Sequence, residues 1–168
     1  MKRLLAFLVA FILIPIFVTC KNSIESGAQT IYFSSFESYL DLQGWKGIRI
    51  EDLKDDPAPL GGKKSLFIST GCTDNRSLKF DAPGEDLEIS ISCWGKNLAI
   101  GGGVEFLIGD NTPWNRVDYI SVLDTIWTSY TIDNVINWPA DSTLTIEMKA
   151  GGIVPSAMLI DKFLIVKK

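Results

Sequence analysis

The stretch Leu87-Glu-Ile-Ser-Ile-Ser-Cys-Trp94 alternates apolar and polar side chains without a break. A period of two is typical of a β-strand with one face in a core, because successive side chains of a strand point to opposite faces. The buried set is Leu87, Ile89, Ile91 and Cys93, and the outer set is Glu88, Ser90, Ser92 and Trp94. The stretch therefore predicts a strand that covers a hydrophobic core.

Further short alternating runs lie on both sides of this one, separated by residues that favour turns. From Thr30 onward no segment shows a sustained helical period. The predicted strands are 30–36, 45–50, 64–70, 76–81, 86–95, 102–109, 117–122, 127–133, 142–149 and 156–166. Many short strands without a helix predict an all-β fold, a two-sheet antiparallel β-sandwich.

The N-terminus has the form of an export signal. Residues 1–3 are Met-Lys-Arg, residues 4–17 are apolar, and Cys20 follows shortly after. The apolar run is short for a membrane-spanning helix and has the length of a signal peptide. Cys20 resembles the acylated cysteine of a bacterial lipoprotein leader, although Phe17 and Thr19 stand where such leaders usually carry Leu and Gly or Ala. An uncleaved N-terminal anchor is the alternative.

This leader divides the chain into three parts. We expect a lipoprotein signal peptide at 1–19, the acylated cysteine and a flexible polar tether at 20–29, and a sandwich domain at 30–168. The resemblance implies an exported protein, lipid-anchored at the bacterial cell envelope. Lys21 is unlike the aspartate that retains some lipoproteins at the inner membrane, which favours the outer membrane.

The composition excludes several classes of function. The formal charge is −4, and removal of Lys2 and Arg3 with the signal peptide would make it more negative by two. We therefore expect no nucleic-acid partner, because the net charge has the same sign as that of phosphates. The sequence has no histidine, the commonest general base and zinc ligand.

Two cysteines remain if Cys20 carries lipid. An oxidising compartment permits a disulfide between Cys72 and Cys93, which would contribute about 3 kcal/mol in the chain-entropy model. The alternative is a buried free thiol, because Cys93 continues the apolar alternation of its strand.

A series of sequence landmarks runs through the domain. They are Phe36-Glu37-Ser38 with Trp45 after it, Gly61-Gly-Lys-Lys-Ser-Leu66, Ser92-Cys93-Trp94-Gly95-Lys96, Trp127-Thr-Ser-Tyr130-Thr and Ile160-Asp161-Lys162-Phe163. Their order and spacing resemble the carbohydrate-binding-module jelly rolls of the galactose-binding-like superfamily. The resemblance covers almost all of 32–166 and implies a jelly-roll sandwich that binds carbohydrate.

The same resemblance implies a structural Ca²⁺. In many such modules the ion lies where the first strand, the loop before the "SL" strand and the last strand meet. Glu37 and Asp161 match the carboxylate positions, and a carbonyl near Lys63 would help to complete the six to eight oxygens that calcium prefers. The alternative is that Glu37 caps a turn and Asp161 pairs with a lysine.

Alternation also predicts a candidate ligand face. If the strands share one sheet, its outer face presents aromatic rings among hydroxyls and carboxylates, which suits the apolar C–H face and the hydroxyls of a sugar. The predicted ligand-binding residues are Trp94, Tyr119, Ser92, Glu105 and Glu147, with Trp114 in the loop 111–115 as a candidate edge site. The alternative for Trp94 is burial under a neighbouring loop.

Three functions compete on this evidence. The first is a non-catalytic, membrane-anchored module that binds a glycan or cell-surface polysaccharide. The second is an adhesion or structural lipoprotein that binds protein partners, which an exposed apolar patch around Leu107 and Trp94 would favour. The third is a glycosidase that uses Glu105, Asp118 and Glu147, although their spacing singles out no acid and nucleophile. We therefore expect a binding protein rather than an enzyme.

Overall fold

The computed structural model describes residues 28–69, 76–99, 102–109, 116–132, 134–150 and 156–168. Within these ranges the chain forms strands and two short 3-10 helices, Tyr39–Leu42 and Ile50–Asp52. In chain order the strands are β1 Gln29–Ser34, β2 Trp45–Lys46, β3 Leu53–Lys54, β4 Ser65–Ser69, β5 Arg76–Phe80, β6 Leu87–Asn97, β7 Gly102–Ile108, β8 Arg116–Val122, β9 Thr128–Thr131, β10 Ile136–Trp138, β11 Leu144–Ala150 and β12 Ala157–Lys167.

These strands form two antiparallel sheets. The five-stranded sheet has the order β2-β5-β11-β7-β8. The seven-stranded sheet follows the path β10-β6-β12-β4-β3, with β1 beside β12 and β9 beside β6. Their inner faces enclose one shared hydrophobic core. The predicted two-sheet antiparallel β-sandwich of jelly-roll type is confirmed.

Aliphatic and aromatic side chains fill the core between the sheets. The alternation of β6 is confirmed, because Ile89, Ile91 and Cys93 are all buried. From the last strand, Phe163 stacks on Phe106 of the opposite sheet with ring centroids 6.5 Å apart. The inward residues of β7, β8 and β11 that the alternation predicts are Val104, Phe106, Ile108, Ile120, Val122, Leu144, Ile146 and Met148, and all belong to this core or pack against it.

Strand β12 holds the larger sheet together. One of its edges pairs with β6 over most of its length, while the other edge pairs first with β4 at 157–160 and then with β1 at 163–167. At the change of neighbour the register against β6 shifts between Asp161 and Leu164, and Lys162 has a φ of 47°. A bulge of this kind bends a strand and redirects its side chains. Asp161 therefore lies where β1, β4 and β12 meet.

All the predicted strands are present, and their bounds agree within two residues with one exception. That exception is 45–50, which is extended as a strand only at Trp45–Lys46, because Gly47 turns the chain with a φ of 72°. The sequence pattern misses β3 and β10, which are too short to show alternation. The predicted signal peptide and Cys20 lie outside the described residues, and β1 begins at Gln29, inside the range expected to be tether.

Cys93 has a free thiol in the structure and is 1% exposed. Burial raises the pKa of this thiol to about 12, so it remains protonated at neutral pH. Its expected disulfide partner, Cys72, lies outside the described residues. The geometry at Cys93 is that of the buried-thiol alternative.

The core accounts for much of the stability, which a matched pair of truncations tests. Ile146 is fully buried, so Ile146→Ala should lower the free energy of unfolding by about 2–5 kcal/mol through lost burial and a residual cavity. Val135 is 45% exposed, so Val135→Ala should change it by less than about 0.5 kcal/mol. Urea denaturation measures both, and similar losses in the two variants would contradict this assignment of the core.

Candidate functional site

The residues predicted to bind ligand divide between the two sheets. Trp94 and Ser92 lie on β6 of the seven-stranded sheet, whereas Glu105, Tyr119 and Glu147 lie on β7, β8 and β11 of the five-stranded sheet. The condition that these strands share one sheet is not met, which corrects the single face expected from alternation. Alternation assigns a residue to one side of its strand but does not say which sheet the strand joins.

Three of the predicted residues nevertheless form a continuous row. Strand register puts Glu147 beside Glu105, and Glu105 beside Tyr119. The row continues in the other direction through Ser77 to Lys46 at the opposite edge of the sheet. We call the outer surface of the five-stranded sheet the Tyr119 face. By register it comprises Lys46, Ser77, Lys79, Gly103, Glu105, Leu107, Arg116, Tyr119, Ser121, Thr145, Glu147 and Lys149.

Tyr119 is the exposed aromatic residue of this face, with 42% of its surface accessible. Its ring lies against Gly103 on the neighbouring strand, where any added Cβ would overlap the ring and the hydroxyl. The guanidinium of Arg116 lies 5.9 Å from the ring centroid, within the range of a cation–π interaction. Glycine at 103 and arginine at 116 thus hold the ring down on the sheet while leaving part of it open to a ligand.

Beside Tyr119 the face carries a network of charged side chains. Lys149 Nζ lies 2.9 Å from Glu105 and 2.7 Å from Glu147, and Arg116 lies 3.6 Å from Glu105. Burial alone would lower the pKa of Lys149, but hydrogen bonds from its ammonium to the two carboxylates outweigh this and raise it. The ammonium therefore stays charged and fixes both carboxylates on the surface of the sheet.

A groove of about 220 Å³ opens next to the ring, between the adjoining edges of the two sheets. Its polar and aromatic lining consists of Asp118, Tyr119, Ser121, Tyr130, Thr131 and Asn134. Tyr130 donates its hydroxyl hydrogen to Asp124 over 2.7 Å, and burial raises the pKa of this phenol. The groove thus extends the Tyr119 face with hydroxyl, amide and carboxylate groups.

Leu107 and Thr145 differ from their neighbours on the Tyr119 face. Both point outward by register, yet they are only 3% and 4% exposed. The structure therefore presents no open apolar patch around Leu107. Because Trp94 lies on the other sheet, the patch expected for a protein-binding surface does not form among the described residues.

Trp94 is half-buried on the outer face of the seven-stranded sheet. In register it lies between Ser129 of β9 and the fully buried Asp161 of β12. The loop that contains Ala58 passes over this region, because the Ala58 N–H donates to Asp161 over 2.9 Å. Ser92 lies one pair further along the same face, beside Thr131. Trp94 thus lies one strand from the residue that this loop contacts, and its role in ligand binding stays a prediction. Trp114 lies outside the described residues.

A larger groove of about 580 Å³ lies at the end of the sandwich where β1 begins and β12 ends. Its lining includes Asp86, Glu88, Asn137 and Lys167, with Trp138 at its base. The indole of Trp138 is 3% exposed and donates to the Ser142 carbonyl. This groove therefore offers polar groups but no open aromatic surface.

The residues matched to a calcium site converge on one loop. Glu37 accepts hydrogen bonds from the backbone N–H groups of Lys63 and Lys64, over 2.7 and 3.2 Å. Asp161 accepts from Ala58 over 2.9 Å and from Lys162 over 2.6 Å. An added Cβ would meet the Asp161 carboxylate at Gly61 and the Glu37 carboxylate at Gly62, so both carboxylates face consecutive glycines.

The region where Glu37 and Asp161 meet the loop has a shifted pKa and several strained backbone angles. Burial raises the pKa of Asp161 above its ordinary value, hydrogen bonds from Ala58 and Lys162 oppose this rise, and the charge of Glu37 adds to it. Positive φ angles at non-glycine residues occur, among the described residues, at Phe36, Leu60 and Lys162. Each lies next to Glu37, Gly61 or Asp161. Such angles cost about 1–3 kcal/mol each and are commonly retained where a site needs them.

The carboxylates of Glu37 and Asp161 are suitable ligands for Ca²⁺, but they supply fewer oxygens than the six to eight that the ion prefers. Two carboxylates from distant strands supply hard oxygens, and the loop carbonyls lie within the same turn of chain. Lys63 contributes its N–H to Glu37, which is the turn-capping contact of the alternative assignment. No cluster of three or more metal-binding side chains occurs in the part of the chain that the structure describes. The remaining ligands would therefore be backbone carbonyls and water.

Sequence reasoning misses several residues of the Tyr119 face and its groove. Alternation puts Lys149 and Gly103 on the same faces of their strands as Glu147 and Glu105, but their contacts with Glu105 and Tyr119 depend on strand order. Arg116 joins the face through the register shift of β8. Thr131 and Asn134 join it because the edges of the two sheets meet there. The sequence around Thr131 and Asn134 contains no pattern that distinguishes these residues from ordinary surface residues.

No helix in the described ranges is long and apolar enough to cross a membrane. No family model matches the sequence, and no curated protein matches it significantly.

Solved structures do match. The CBM22-1 xylan-binding domain of Paenibacillus barcinonensis Xyn10C has 20% identity and a TM-score of 0.55, covering 83% of this chain and 95% of that one. The CBM22-1–GH10 modules of Clostridium thermocellum xylanase 10B, in complex with xylohexaose, have 12% identity and a TM-score of 0.58, over 83% and 29%. The C-terminal family 22 module of Clostridium thermocellum Xyn10B has 14% identity and a TM-score of 0.55, over 82% and 94%. These similarities establish the fold, a β-sandwich like that of carbohydrate-binding modules.

Proposed function

We propose that the protein is an exported, membrane-anchored lipoprotein whose β-sandwich binds a glycan without cleaving it. The observation that carries this proposal is the exposed ring of Tyr119, held flat against Gly103 between fixed charges and a hydroxyl-lined groove. An aromatic ring offers a surface for the C–H groups of a sugar, and the charged and hydroxyl groups around it suit the sugar hydroxyls.

The similar structures support the same ligand class. One of them is a xylan-binding domain, and another contains xylohexaose. Their fold matches this domain over most of its length, so a xylo-oligosaccharide is a rational first probe.

The arrangement of carboxylates weighs against glycoside hydrolysis. A glycosidase places two carboxylates on opposite sides of the scissile bond, whereas Glu105 and Glu147 lie side by side and both contact the ammonium of Lys149. Asp118 pairs in register with the core residue Phe106, and its carboxylate accepts from the Tyr119 N–H. The three acids thus do not form a facing pair around one cleft, which supports a binding function.

We also propose that Glu37 and Asp161 hold a structural Ca²⁺. The ion would neutralise two carboxylates that the fold brings to the same pair of glycines, and would link β1, β12 and the loop between them. Both residues already orient that loop through its backbone N–H groups. The bound ion would stabilise the folded state and would take no part in catalysis.

The anchor follows from the leader sequence. Acylation of Cys20 would attach the chain to a bilayer, and residues 21–28 would separate the bilayer from β1. Surface attachment suits a module with one small site, because many copies on one membrane can bind a polymer at several points.

Glycan binding should depend on Tyr119 and on the space at Gly103. Tyr119→Ala removes the ring and Gly103→Ala displaces it, so each should weaken xylohexaose binding by about tenfold or more, which corresponds to about 1.4 kcal/mol. Isothermal titration calorimetry measures this, with Tyr39→Ala as a control because Tyr39 is 68% exposed and lies off the face. Unchanged affinity in both variants, with the fold intact, would exclude this site.

Calcium should raise the melting temperature of the native chain. At a calcium concentration about a hundredfold above Kd, the shift relative to chelator should be about 5–10 °C, because the ion binds only the folded state. Glu37→Gln and Asp161→Asn should lose the shift, whereas Glu51→Gln, which changes a solvent-exposed acid, should keep it. Identical melting of the native chain with calcium and with chelator would overturn the assignment.

Lipid attachment should require Cys20. When the full chain is expressed in a bacterium with labelled palmitate, label and membrane association should both disappear in Cys20→Ser and persist in Cys72→Ser. Membrane association that survives Cys20→Ser without label would instead indicate an uncleaved N-terminal anchor.

A further inference from the structure

We propose that the glycan recognised by the Tyr119 face carries carboxylate groups along its chain. This inference rests on the proposed function and adds the chemical class of the ligand. Its basis is the distribution of charge on the face, which is opposite in sign to that of the whole protein.

The charges of the face can be counted from the strand register. Its cations are Lys46, Lys79, Arg116 and Lys149, and its anions are Glu105 and Glu147. The residues of the face thus carry an excess of two positive charges, and the carboxylate of Asp118 in the adjoining groove reduces this excess to one at the Tyr119 end. The whole sequence, in contrast, has a formal charge of −4. A cationic surface on an acidic protein attracts anionic ligands and leaves neutral ones unaffected.

The four cations fall into two functional pairs. Lys149 pairs with Glu105 and Glu147 over 2.9 and 2.7 Å, and Arg116 pairs with Glu105 over 3.6 Å, so these two cations and two carboxylates balance one another. Lys46 and Lys79 are both exposed, and neither makes an ion pair within the described part of the chain. They are the charges that remain available to a ligand.

The position of the two lysines relative to Tyr119 suits a polymer. Lys46 and Tyr119 end the same row, on the two edge strands of the sheet. Four inter-strand steps of about 4.8 Å separate such strands, a distance of about 19 Å that exceeds one sugar ring. Lys79 lies one strand in from Lys46, beside Thr145. A ring stacked on Tyr119 would therefore belong to a chain whose distant residues reach the lysines.

A carboxylate is the group that this arrangement would recognise in a sugar chain. Each ammonium supplies three donors and a positive charge, and hydrogen bonds from a charged donor to a carboxylate are stronger than those to a neutral hydroxyl. Glu105 and Glu147, fixed beside Tyr119 and balanced by Lys149 and Arg116, would accept hydrogen bonds from sugar hydroxyls there and leave no free cation for a carboxylate. The face thus favours a neutral sugar at the ring and an acidic sugar toward Lys46 and Lys79.

The test compares one oligosaccharide in charged and neutral forms. The probes are a xylo-oligosaccharide bearing a glucuronic acid branch and the methyl ester of the same molecule. In calorimetry at low salt, the acid should bind the native chain about five- to tenfold more tightly than the ester. The difference should nearly vanish at about 0.5 M NaCl, where exposed charges are screened. The double variant Lys46→Ala/Lys79→Ala should bind both probes with the affinity of the ester.

A matched lysine on the other sheet provides the control. Lys54 is exposed and lies over the ring of Phe67, so Lys54→Ala should retain the preference for the acid. Equal binding of acid and ester by the native chain would overturn the carboxylate inference and leave glycan binding intact. Binding of neither probe would overturn both proposals, and a preference for the acid that survives the double variant would overturn the role of the two lysines.

Discussion

The structure depends on the change of neighbour along β12. This strand pairs with β6 on one side and exchanges β4 for β1 on the other, and the bulge at Asp161–Lys162 makes the exchange. The buried carboxylate of Asp161 accepts the Ala58 N–H, so the loop before β4 is fixed to the last strand. Glu37, just after β1, fixes the same loop through Lys63 and Lys64. Residues distant in sequence are thereby joined at one point.

The two outer faces differ because of this constraint. On the seven-stranded sheet the fixed loop passes over the region of Trp94, and its Asp56 also binds Lys96 and Trp127 over 2.8 and 3.1 Å. Hydrogen bonding by Lys96 lowers the pKa of Asp56, opposed in part by burial, so this carboxylate stays charged. The five-stranded sheet lacks a corresponding loop among the described residues at Tyr119, whose ring remains accessible. The open face is consequently the one on which we place the ligand.

Much of the fold could be predicted from the sequence, because strand periodicity is a local property. The inward residues of β6, such as Ile89 and Cys93, follow directly from alternation. The meeting of Glu37 and Asp161 at one loop follows from the family resemblance, and the structure brings them to adjacent glycines.

The candidate site was less accessible to sequence reasoning, since strand order is a property of the whole chain. Trp94 and Tyr119 have similar local surroundings in the sequence, yet their strands join different sheets. The ion pair of Lys149 with Glu105 depends on the pairing of β11 with β7, which are far apart in sequence. Leu107 points outward and is nevertheless buried, so the direction of a side chain from its strand does not predict its exposure to solvent.

The central claim is that ligand binds on the Tyr119 face, and an NMR titration with xylohexaose tests it most directly. The largest changes in amide chemical shift should occur on β7, β8 and β11, at Glu105, Tyr119 and Glu147 and their neighbours in register. Changes confined to β6 and β9 around Trp94, with the five-stranded sheet unaffected, would contradict it.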